Sequence, residues 1–520
     1  MSSQKLSRRE LLKGLGLVAA SAALTACAPA PAAKKTAEPA PSAAPPPKAP
    51  TDIWVFLSQP ACPGAANPQK NAAVQQKILD ATGVNVNTYL AVSTASAVEK
   101  LNLLLASGEP LDLFEGSWPD FKSVIQPLDA VLQQYGQNIL RMNADVTWKR
   151  MRDQDGVTWG YPRLGQMGMT HFPFFRSDWL QEAGLALPET WEQMEAVIAA
   201  FKKRHPESVV AANGRLNLMM NTIGAFVETG CGNWLDPADG QIKPVETHSG
   251  YRDWVVRMND WWRRGWFQQE TFANPDFRAM LKTLTIGVWL GWYSRITVWW
   301  EGIRTDAKYE KEDYVLAHRL TGPKGLAKTN NTGGAEAYMI PRKSKHAEAV
   351  IRYVDWIYQG LPGDATNLAI AQGGIEGQDW EWVDKAKGVI RSLVPPGARC
   401  EDSYATDYNN ARGMGTELYL LGIGADGHVS RQGEHIHTYA QDFTTGKMPF
   451  DYDVPYDTTL IQKQFPGLGD FNRVLEEESI KLITGARPLT EWAAFQKQIE
   501  AAGLREWSKC YTEKYKRYHA

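Results

Sequence analysis

The chain has 520 residues, and its basic and acidic side chains nearly balance, with a formal net charge of −2 at pH 7. Such a balance creates no field that would gather nucleic acid or anionic lipid, so we expect neither as a partner. The length fits roughly two to four domain-sized units. Aromatic side chains, including 20 Trp, make up 11% of the residues, enough to fill a large core, line a binding surface, or do both.

The beginning of the chain is typical of an export signal. Arg8 and Arg9 stand in a stretch that resembles the twin-arginine signal, and an apolar run follows from Gly14 to Leu24. That run is shorter than the roughly 20 residues that cross a bilayer as a helix. It therefore predicts the core of a signal peptide rather than a membrane anchor.

A lipid attachment motif follows the apolar run directly. Leu24-Thr25-Ala26-Cys27 matches the lipobox of bacterial lipoproteins, in which the cysteine thiol accepts the lipid. We therefore predict that residues 1–26 are removed and that Cys27 is lipidated. Residues 27–50 are mostly Ala and Pro, a composition that cannot bury enough apolar surface to fold and that predicts an extended tether.

Short apolar runs alternate with amphipathic segments after the tether. This alternation predicts a parallel sheet covered by helices, and ligands of such sheets bind beyond the carboxyl ends of the strands. Ser58, Ser117 and Trp118 follow expected strands and are therefore candidate ligand residues. The expected strands are Ile53–Leu57, Val84–Leu90 and Leu111–Phe114, and the expected helices are Asn71–Ala81 and one that buries Val98, Leu101 and Leu105.

Further along, local signals predict more helices. Thr190 and Gln193 have the spacing of a capping box, and the stripe from Met194 to Phe201 follows them at helical spacing. The last clear helix is expected at Glu491–Ala502. The most apolar stretch of the chain after the tether, Leu284–Trp300, contains Arg295, which argues against a membrane span there.

Cysteine and histidine patterns give little support for a metal site. Cys62, Cys231, Cys400 and Cys510 allow three disulfide pairings, and the residues favour none of them over four buried thiols. His435 and His437 would face one side of a strand, but no third ligand accompanies them. We expect no metal and no cofactor.

Dispersed stretches carry a resemblance over nearly all of the chain after the tether. The chain resembles the large extracellular sugar-binding lipoproteins of bacterial ABC importers, relatives of maltose-binding protein, in the branch of long members. The matching stretches are Asp153–Pro162, Phe175–Trp191, Gly374–Trp380, Asp426–Val429 and Glu478–Tyr518.

The resemblance implies an α/β fold of the periplasmic-binding-protein type, with two lobes joined by hinge crossings and a helical C-terminal extension. Residues 51–165 and 331–395 would form the first lobe, and residues 166–330 the second, which residues 396–520 complete. It also implies an extracytoplasmic, lipid-anchored monomer without enzymatic activity. Such a protein captures a carbohydrate, here an oligosaccharide, between its lobes and passes it to the permease subunits of an ABC transporter.

Candidate ligand residues combine aromatic faces with polar groups, because a sugar has an apolar face of C–H groups and polar edges. Each aromatic candidate could instead pack in a core. Trp191, Trp356, Trp382 and Trp492 are expected on helices as packing residues. Besides the three strand-end residues, the candidates are Trp159 and Tyr161 near the first crossing, Trp234, the group Trp289, Trp292 and Tyr293, and Glu376 with Trp380.

Two other functions stay open at this point. A secreted polysaccharide-active enzyme such as a glycoside hydrolase would need a pair of carboxylates, and no pattern in the sequence marks one. A polysaccharide-binding or adhesive surface lipoprotein would lack a deep cleft between lobes. A peptide or another polyol also remains a candidate ligand.

Overall fold

Two five-stranded β-sheets dominate the part of the chain that the structure describes, beside one three-stranded and two two-stranded sheets. A computed structural model describes residues 50–57, 68–90, 94–143, 145–162, 169–273, 277–304, 306–309, 311–327, 330–331, 336–393, 418–429, 433 and 458–518. Cys27, Ser58, Cys62, Cys400, His435 and His437 lie outside these residues.

The strands are named in chain order: β1 (Thr51–Leu57), β2 (Val84–Leu90), β3 (Leu113–Ser117), β4 (Tyr161–Pro162), β5 (Met169–Arg176), β6 (Val209–Ala211), β7 (Trp234–Asp236), β8 (Gln241–Lys243), β9 (Ile286–Trp292), β10 (Tyr314–Leu316), β11 (Thr321–Gly322), β12 (Gly325–Leu326), β13 (Asn330–Asn331), β14 (Glu336–Met339), β15 (Trp380–Asp384), β16 (Val389–Ser392) and β17 (Leu421–Ile423).

The helices follow in the same way: α1 (Pro68–Thr82), α2 (Thr94–Ala106), α3 (Trp118–Phe121), α4 (Asp129–Tyr135), α5 (Gln137–Met142), α6 (Asp145–Arg150), α7 (Ser177–Ala183), α8 (Trp191–Arg204), α9 (Gly214–Thr222), α10 (Ser249–Arg263), α11 (Phe277–Leu281), α12 (Gly302–Arg304), α13 (Ala347–Tyr358), α14 (Thr366–Gly373), α15 (Thr458–Gln464), α16 (Leu468–Thr484), α17 (Trp492–Ile499) and α18 (Arg505–Tyr518). Two π-helical turns, Ile296–Glu301 and Glu500–Leu504, continue into α12 and α18.

The first sheet has the strand order β2-β1-β3-β14-β4. β1, β2 and β3 run parallel, whereas β14 is antiparallel to both β3 and β4. β1 is largely apolar, whereas β2 alternates Val and Asn, with Val84 and Val86 buried and Asn85 and Asn87 half-buried. The third strand starts two residues later than its sequence suggested. Asp112 stands just before it, and its carboxylate accepts a hydrogen bond from the Trp54 backbone N–H at 2.9 Å.

The second sheet has the order β10-β5-β9-β6, with β13 paired to the start of β5. β6 and β9 run parallel, while β5 is antiparallel to β9, so that His171 lies opposite Trp292. β5 therefore begins at the sheet edge where β6 and β9 end. That edge collects residues from three separate parts of the chain.

The chain crosses between the sheets at matching edges. It leaves the first sheet at the end of β4 and enters the second at the start of β5, then returns from β13 to β14. β14 begins opposite Ser117, which ends β3. Both crossings thus join the carboxyl edge of the first sheet to the edge of the second sheet at which β9 ends, so the two-lobe fold with hinge crossings is confirmed.

Helix α2 corrects one prediction about packing. The expected inner face contained Val98, but the Val98 side chain is 67% exposed. The helix instead buries Ala97, Leu101 and Leu104, a set rotated by about one residue. The two sets share Leu101 and both have helical spacing, so periodicity alone could not separate them.

Helix α8 confirms a local prediction in full. The Thr190 hydroxyl accepts from the Gln193 backbone N–H, and the Gln193 side chain accepts from the Thr190 backbone N–H. The stripe of Met194, Val197 and Phe201 is buried. Reciprocal capping satisfies donors that the first turn would otherwise leave open, so the helix start is fixed locally.

The buried hydrophobic residues form separate clusters around the two large sheets. One cluster draws on residues 53–161 and 337–390 together with Leu420, and a second on residues 175–327 and 465–510. The segment from residue 396 onward therefore contributes to both lobes rather than to the second alone. Leu418 packs against a third, aromatic cluster of the second lobe, and Arg517 donates to the Gln154 side chain of the first lobe at 2.7 Å.

Two further predictions, one about the last helix and one about Trp382, are corrected by the structure. Gly503, with φ of 117°, ends a helical segment as expected, yet a further helix, α18, follows it directly. Trp382 lies on strand β15 rather than on a helix, and its ring meets Trp380 edge to face at 5.1 Å. None of the helices among the described residues is apolar over a stretch that could cross a membrane.

Candidate ligand-binding site

A recess lies at the edge of the second sheet where β6 and β9 end. Its volume is about 190 Å³, below the roughly 300–1,000 Å³ of sites that enclose drug-sized ligands. It therefore fits one ring or one end of a longer molecule. Its walls come from the start of β5, the loop after β6, the end of β9 and the π-helical turn, and consist of His171, Asn213, Asn217, Trp289, Leu290, Gly291, Trp292, Arg295 and Trp299.

Trp289 forms the floor of the recess and is fixed by stacking. Its side chain is 1% exposed and stacks on Phe174 with ring centroids 4.5 Å apart. Trp299 lies parallel to it at 6.1 Å. Gly291 permits this arrangement, because a Cβ at that position would lie 2.6 Å from Trp289 Nε1. The glycine in the aromatic run is thus a packing requirement.

Trp292 and Trp299 are half-buried and line the same recess. Trp292 meets the His171 ring edge to face at 5.0 Å and packs on Tyr293, which is itself 1% exposed. The open parts of two indoles beside polar groups offer the combination that a sugar ring needs, an apolar surface next to hydrogen-bonding edges. Tyr293 supports this surface from beneath.

Arg295 brings a positive charge to the recess. Its guanidinium lies 4.8 Å from the centre of the Trp299 ring, in a cation–π contact. The spacing of four residues places both on one side of the π-helical turn. Burial lowers the pKa of Arg295 from its ordinary value, with a smaller opposing effect from Tyr293. Among the described residues it has no carboxylate partner.

His171 and Asn217 add polar atoms. Burial, and secondarily the charge of Arg295, lowers the pKa of His171 to about 3, so the ring is neutral at physiological pH. Its Nδ1 atom is buried without a hydrogen-bond partner. The Asn217 side-chain oxygen accepts from the Asn213 backbone N–H at 3.1 Å, which directs the Asn217 amide within the wall.

The structure brings only part of the predicted set together. Trp289 and Trp292 line the recess, with Tyr293 behind them. Trp118, Tyr161 and Trp380 are buried in the first core instead. Trp118 Nε1 donates to the Arg150 carbonyl at 2.7 Å, Tyr161 stacks on Tyr338 at 4.9 Å, and Trp380 Nε1 donates to the Gly374 carbonyl at 2.9 Å. Their faces are covered, so we leave these three out of the proposed site.

Other predicted residues take part in local structure. Trp159 donates to Asp153 at 2.8 Å, and Lys122 lies over its ring at 5.0 Å. Trp234 lies in the β7–β8 hairpin, where its Nε1 donates to the Thr247 hydroxyl at 3.0 Å. Trp159 and Trp234 are half-buried, so part of each ring remains accessible.

Ser117 and Glu376 have different surroundings. Ser117 is half-buried at the carboxyl edge of the first sheet, opposite Glu336. This edge is joined by both crossings to the edge that carries the recess. Glu376 is exposed in the loop before β15. A ligand role for either residue stays a prediction.

Sequence reasoning missed His171, Asn213, Asn217, Arg295 and Trp299. The sequence did contain one signal for Arg295, which interrupts the apolar stretch Leu284–Trp300. A charged side chain in such a run costs free energy unless a partner compensates it, which points to a special role. Asn213 follows a short strand and could have been found by the rule that placed Ser117. His171 depends on the antiparallel pairing of β5 with β9, which no local pattern reveals.

A larger recess, of about 480 Å³, lies at the opposite edge of the first sheet. Its walls include Leu104, Leu111 and Pro341, and its buried carboxylate, Asp112, is already bonded to the Ser344 hydroxyl and the Trp54 N–H. It opens where β1 and β3 begin, away from both crossings. We prefer the smaller recess because it lies at the edge where ligands of such sheets bind.

Residues 65–359, more than half of the chain, match the family described as bacterial extracellular solute-binding protein. The chain belongs to this family. Among curated relatives it is 21% identical to the fructooligosaccharide ABC transporter substrate-binding protein FusA of Streptococcus pneumoniae, over 86% of this chain and 87% of the relative. It is 22% identical to lipoprotein LipO of Bacillus subtilis, over 58% of this chain and 62% of that one.

Solved structures of solute-binding proteins share the fold. The N-glycan transport solute-binding protein NgtS of Streptococcus pneumoniae superposes with a TM-score of 0.63 at 13% identity, covering 91% of this chain and 98% of the other. At that identity the similarity establishes the two-lobe architecture. The ligand of this member of the family has to be argued from its own residues.

Proposed function

We propose that this protein captures an oligosaccharide outside the cytoplasmic membrane and delivers it to the permease subunits of an ABC importer. Membership of the solute-binding family and the sugar-binding roles named for FusA and NgtS support the class of protein. The observation that carries the ligand class is the recess itself. Two half-buried indoles, Trp292 and Trp299, stand there beside polar side chains at the sheet edge that the crossings join.

Mechanistically, the two lobes open and close about the crossings. A solute held on the second-sheet edge would be covered when the edge of the first sheet, marked by Ser117, approaches it. Closure of this kind is a hinge motion, and the ligand shifts the population toward the closed form because it contacts both lobes only there. We propose a binding role and no enzymatic activity, which membership of the solute-binding family supports.

The lipid anchor belongs to the same proposal. Cys27 would hold the mature, monomeric protein to the membrane through the tether, close to its permease. The lipobox and the short apolar run before it support this anchoring. Mass spectrometry of the exported protein is expected to find Cys27 lipidated and residues 1–26 removed. An intact Met1 or an unmodified Cys27 would contradict the anchoring while leaving the ligand class untouched.

Two measurements test the binding role. Thermal-shift screening against neutral and acidic oligosaccharides, with peptides as the comparison set, is expected to find stabilisation by saccharides only. Solution scattering with a stabilising saccharide is expected to show a smaller radius of gyration. Stabilisation by peptides alone would reject the ligand class, and shortened saccharide products in the incubation would favour the glycoside hydrolase instead.

A further inference from the structure

Among the residues that the structure describes, Arg295 differs from the other shielded arginines of the second lobe in having no carboxylate beside it. Arg215 contacts Glu246 at 2.8 Å, Arg304 contacts Asp313 at 3.4 Å, and Arg487 contacts Glu478 at 2.7 Å. Arg176 likewise pairs with Asp178. A guanidinium taken partly out of water costs free energy unless an anion compensates it. The described part of the fold thus leaves a charge in a wall of the recess without a compensating carboxylate.

The neighbours of Arg295 do not supply the missing charge. No Asp or Glu is among the described residues that line the recess. His171 contributes a buried Nδ1 without a partner, and Asn217 contributes an amide. A site for a neutral sugar commonly includes carboxylates, because hydroxyl groups need acceptors as well as donors. Here the described lining offers a cation and neutral polar groups.

We infer that the recess binds the carboxylate of an acidic sugar, a uronate residue of the captured oligosaccharide. This inference rests on the proposed function and names the ligand class of the same site. The planar guanidinium of Arg295 would hold the carboxylate through two parallel hydrogen bonds. Trp299 packs against the guanidinium from one side, and the sugar ring would lie on the open part of Trp292.

Selectivity would follow from the same arrangement. A neutral sugar leaves the Arg295 charge without its anion and loses the charge-assisted bonds. A carboxylate compensates the charge at the cost of its own desolvation. His171 is neutral here, so it adds no competing cation. The site would therefore reject a methyl ester of the ligand, which keeps its shape and loses its charge.

The test is calorimetric titration of the purified mature protein with uronate trisaccharides. The panel contains the galacturonate, glucuronate and mannuronate trimers, the methyl ester of each and the corresponding neutral trimer. At least one acid is expected to bind about 10- to 100-fold more tightly than its ester, as charge-assisted bonds imply. Arg295→Gln is expected to bring the acid to the affinity of the ester, with Arg295→Lys between them.

Arg257→Gln serves as the matched control, because Arg257 is an exposed arginine of the same lobe, 3.3 Å from Glu195. It is expected to leave every affinity unchanged. Equal binding of acid and ester, or binding of neutral trimers alone, would overturn the inference and leave the oligosaccharide role standing. Binding of none of the saccharides would overturn both. The ester comparison uses the unmodified protein, so it holds even if a variant fails to fold.

Discussion

Two shielded arginines of the second lobe, Arg215 and Arg295, differ in whether carboxylates surround them. Where the C-terminal helices meet the second lobe, Arg215 is enclosed by Glu246, Glu476 and the Tyr251 hydroxyl, which in turn bonds to Ser479 on α16. In the recess, Arg295 lies against the Trp299 ring, and the described lining residues include no Asp or Glu. The first arrangement is complete within the protein, whereas we propose that a ligand completes the second. Structural and binding charges can be distinguished by this criterion.

The largest expected difference between the two sites appears when each arginine is replaced by glutamine. Arg215→Gln leaves Glu246 buried without its partner, and loss of one member of a buried pair typically costs about 3–5 kcal/mol. Arg295→Gln removes an uncompensated charge and is expected to leave the free energy of unfolding equal or higher. Urea titration of both variants measures the difference. If Arg295→Gln destabilises as much as Arg215→Gln, the charge in the recess is structural.

Two tryptophans of the recess are likewise expected to differ, with Trp289 stabilising the fold and Trp292 binding the ligand. Trp289→Ala should lower the free energy of unfolding by about 3–5 kcal/mol, because its ring is stacked and buried. Trp292→Ala should cost the fold much less and weaken saccharide binding by about 1–3 kcal/mol. Melting temperatures and titrations are compared for each variant. Parallel losses of stability and affinity in both would identify Trp292 as packing.

Gly291 offers a smaller change that tests the floor of the recess. A methyl group there would displace the Trp289 indole, and overpacking of this kind costs about 1–3 kcal/mol. Gly291→Ala is therefore expected to reduce both stability and affinity through a shifted floor. Gly108→Ala has open space around its Cβ and, like Gly291, no positive φ, so it provides a control for adding a methyl group without a clash. Unchanged affinity in the Gly291→Ala variant would show that the position of the Trp289 ring does not affect ligand binding.

The last prediction concerns the pH dependence of stability and His171. Its folded pKa of about 3 lies below the ordinary 6.5, so the unfolded chain takes up a proton first as the pH falls. The His171 contribution is complete above pH 6.5 and declines below it by up to about 1.4 kcal/mol per pH unit. His171→Gln should flatten the pH dependence of unfolding between pH 6 and about 4. An identical slope in both proteins would show that the ring is not held neutral.

Features that depend on local sequence patterns could be predicted, whereas features that depend on contacts between distant residues could not. The Thr190 capping box and the strand Val84–Leu90 are local patterns, and the structure has both where they were expected. The inner face of α2 could not be chosen, because Val98 and Ala97 both fit helical spacing. Trp289 and Trp292 were found as a cluster through the glycine between them.

The rest of the recess required the tertiary pairing. His171 comes near Trp292 only through the antiparallel register of β5 and β9, and Asn213 only through the parallel pairing of β6. Trp380 shows the reverse case. Its Gly-rich surroundings predicted a loop site, yet the chain buries the ring in the first core. Burial is a property of the assembled lobe, so no local pattern could exclude Trp380.

Localising a bound ligand tests the central claim most directly. Hydroxyl-radical footprinting of tryptophan oxidation can be read by mass spectrometry with and without a saturating oligosaccharide that stabilises the protein. Trp292 and Trp299 are expected to become strongly protected, while Trp234, half-buried in the same lobe but outside the recess, keeps its rate. Protection at other residues with unchanged oxidation of Trp292 and Trp299 would place the ligand elsewhere and contradict the account.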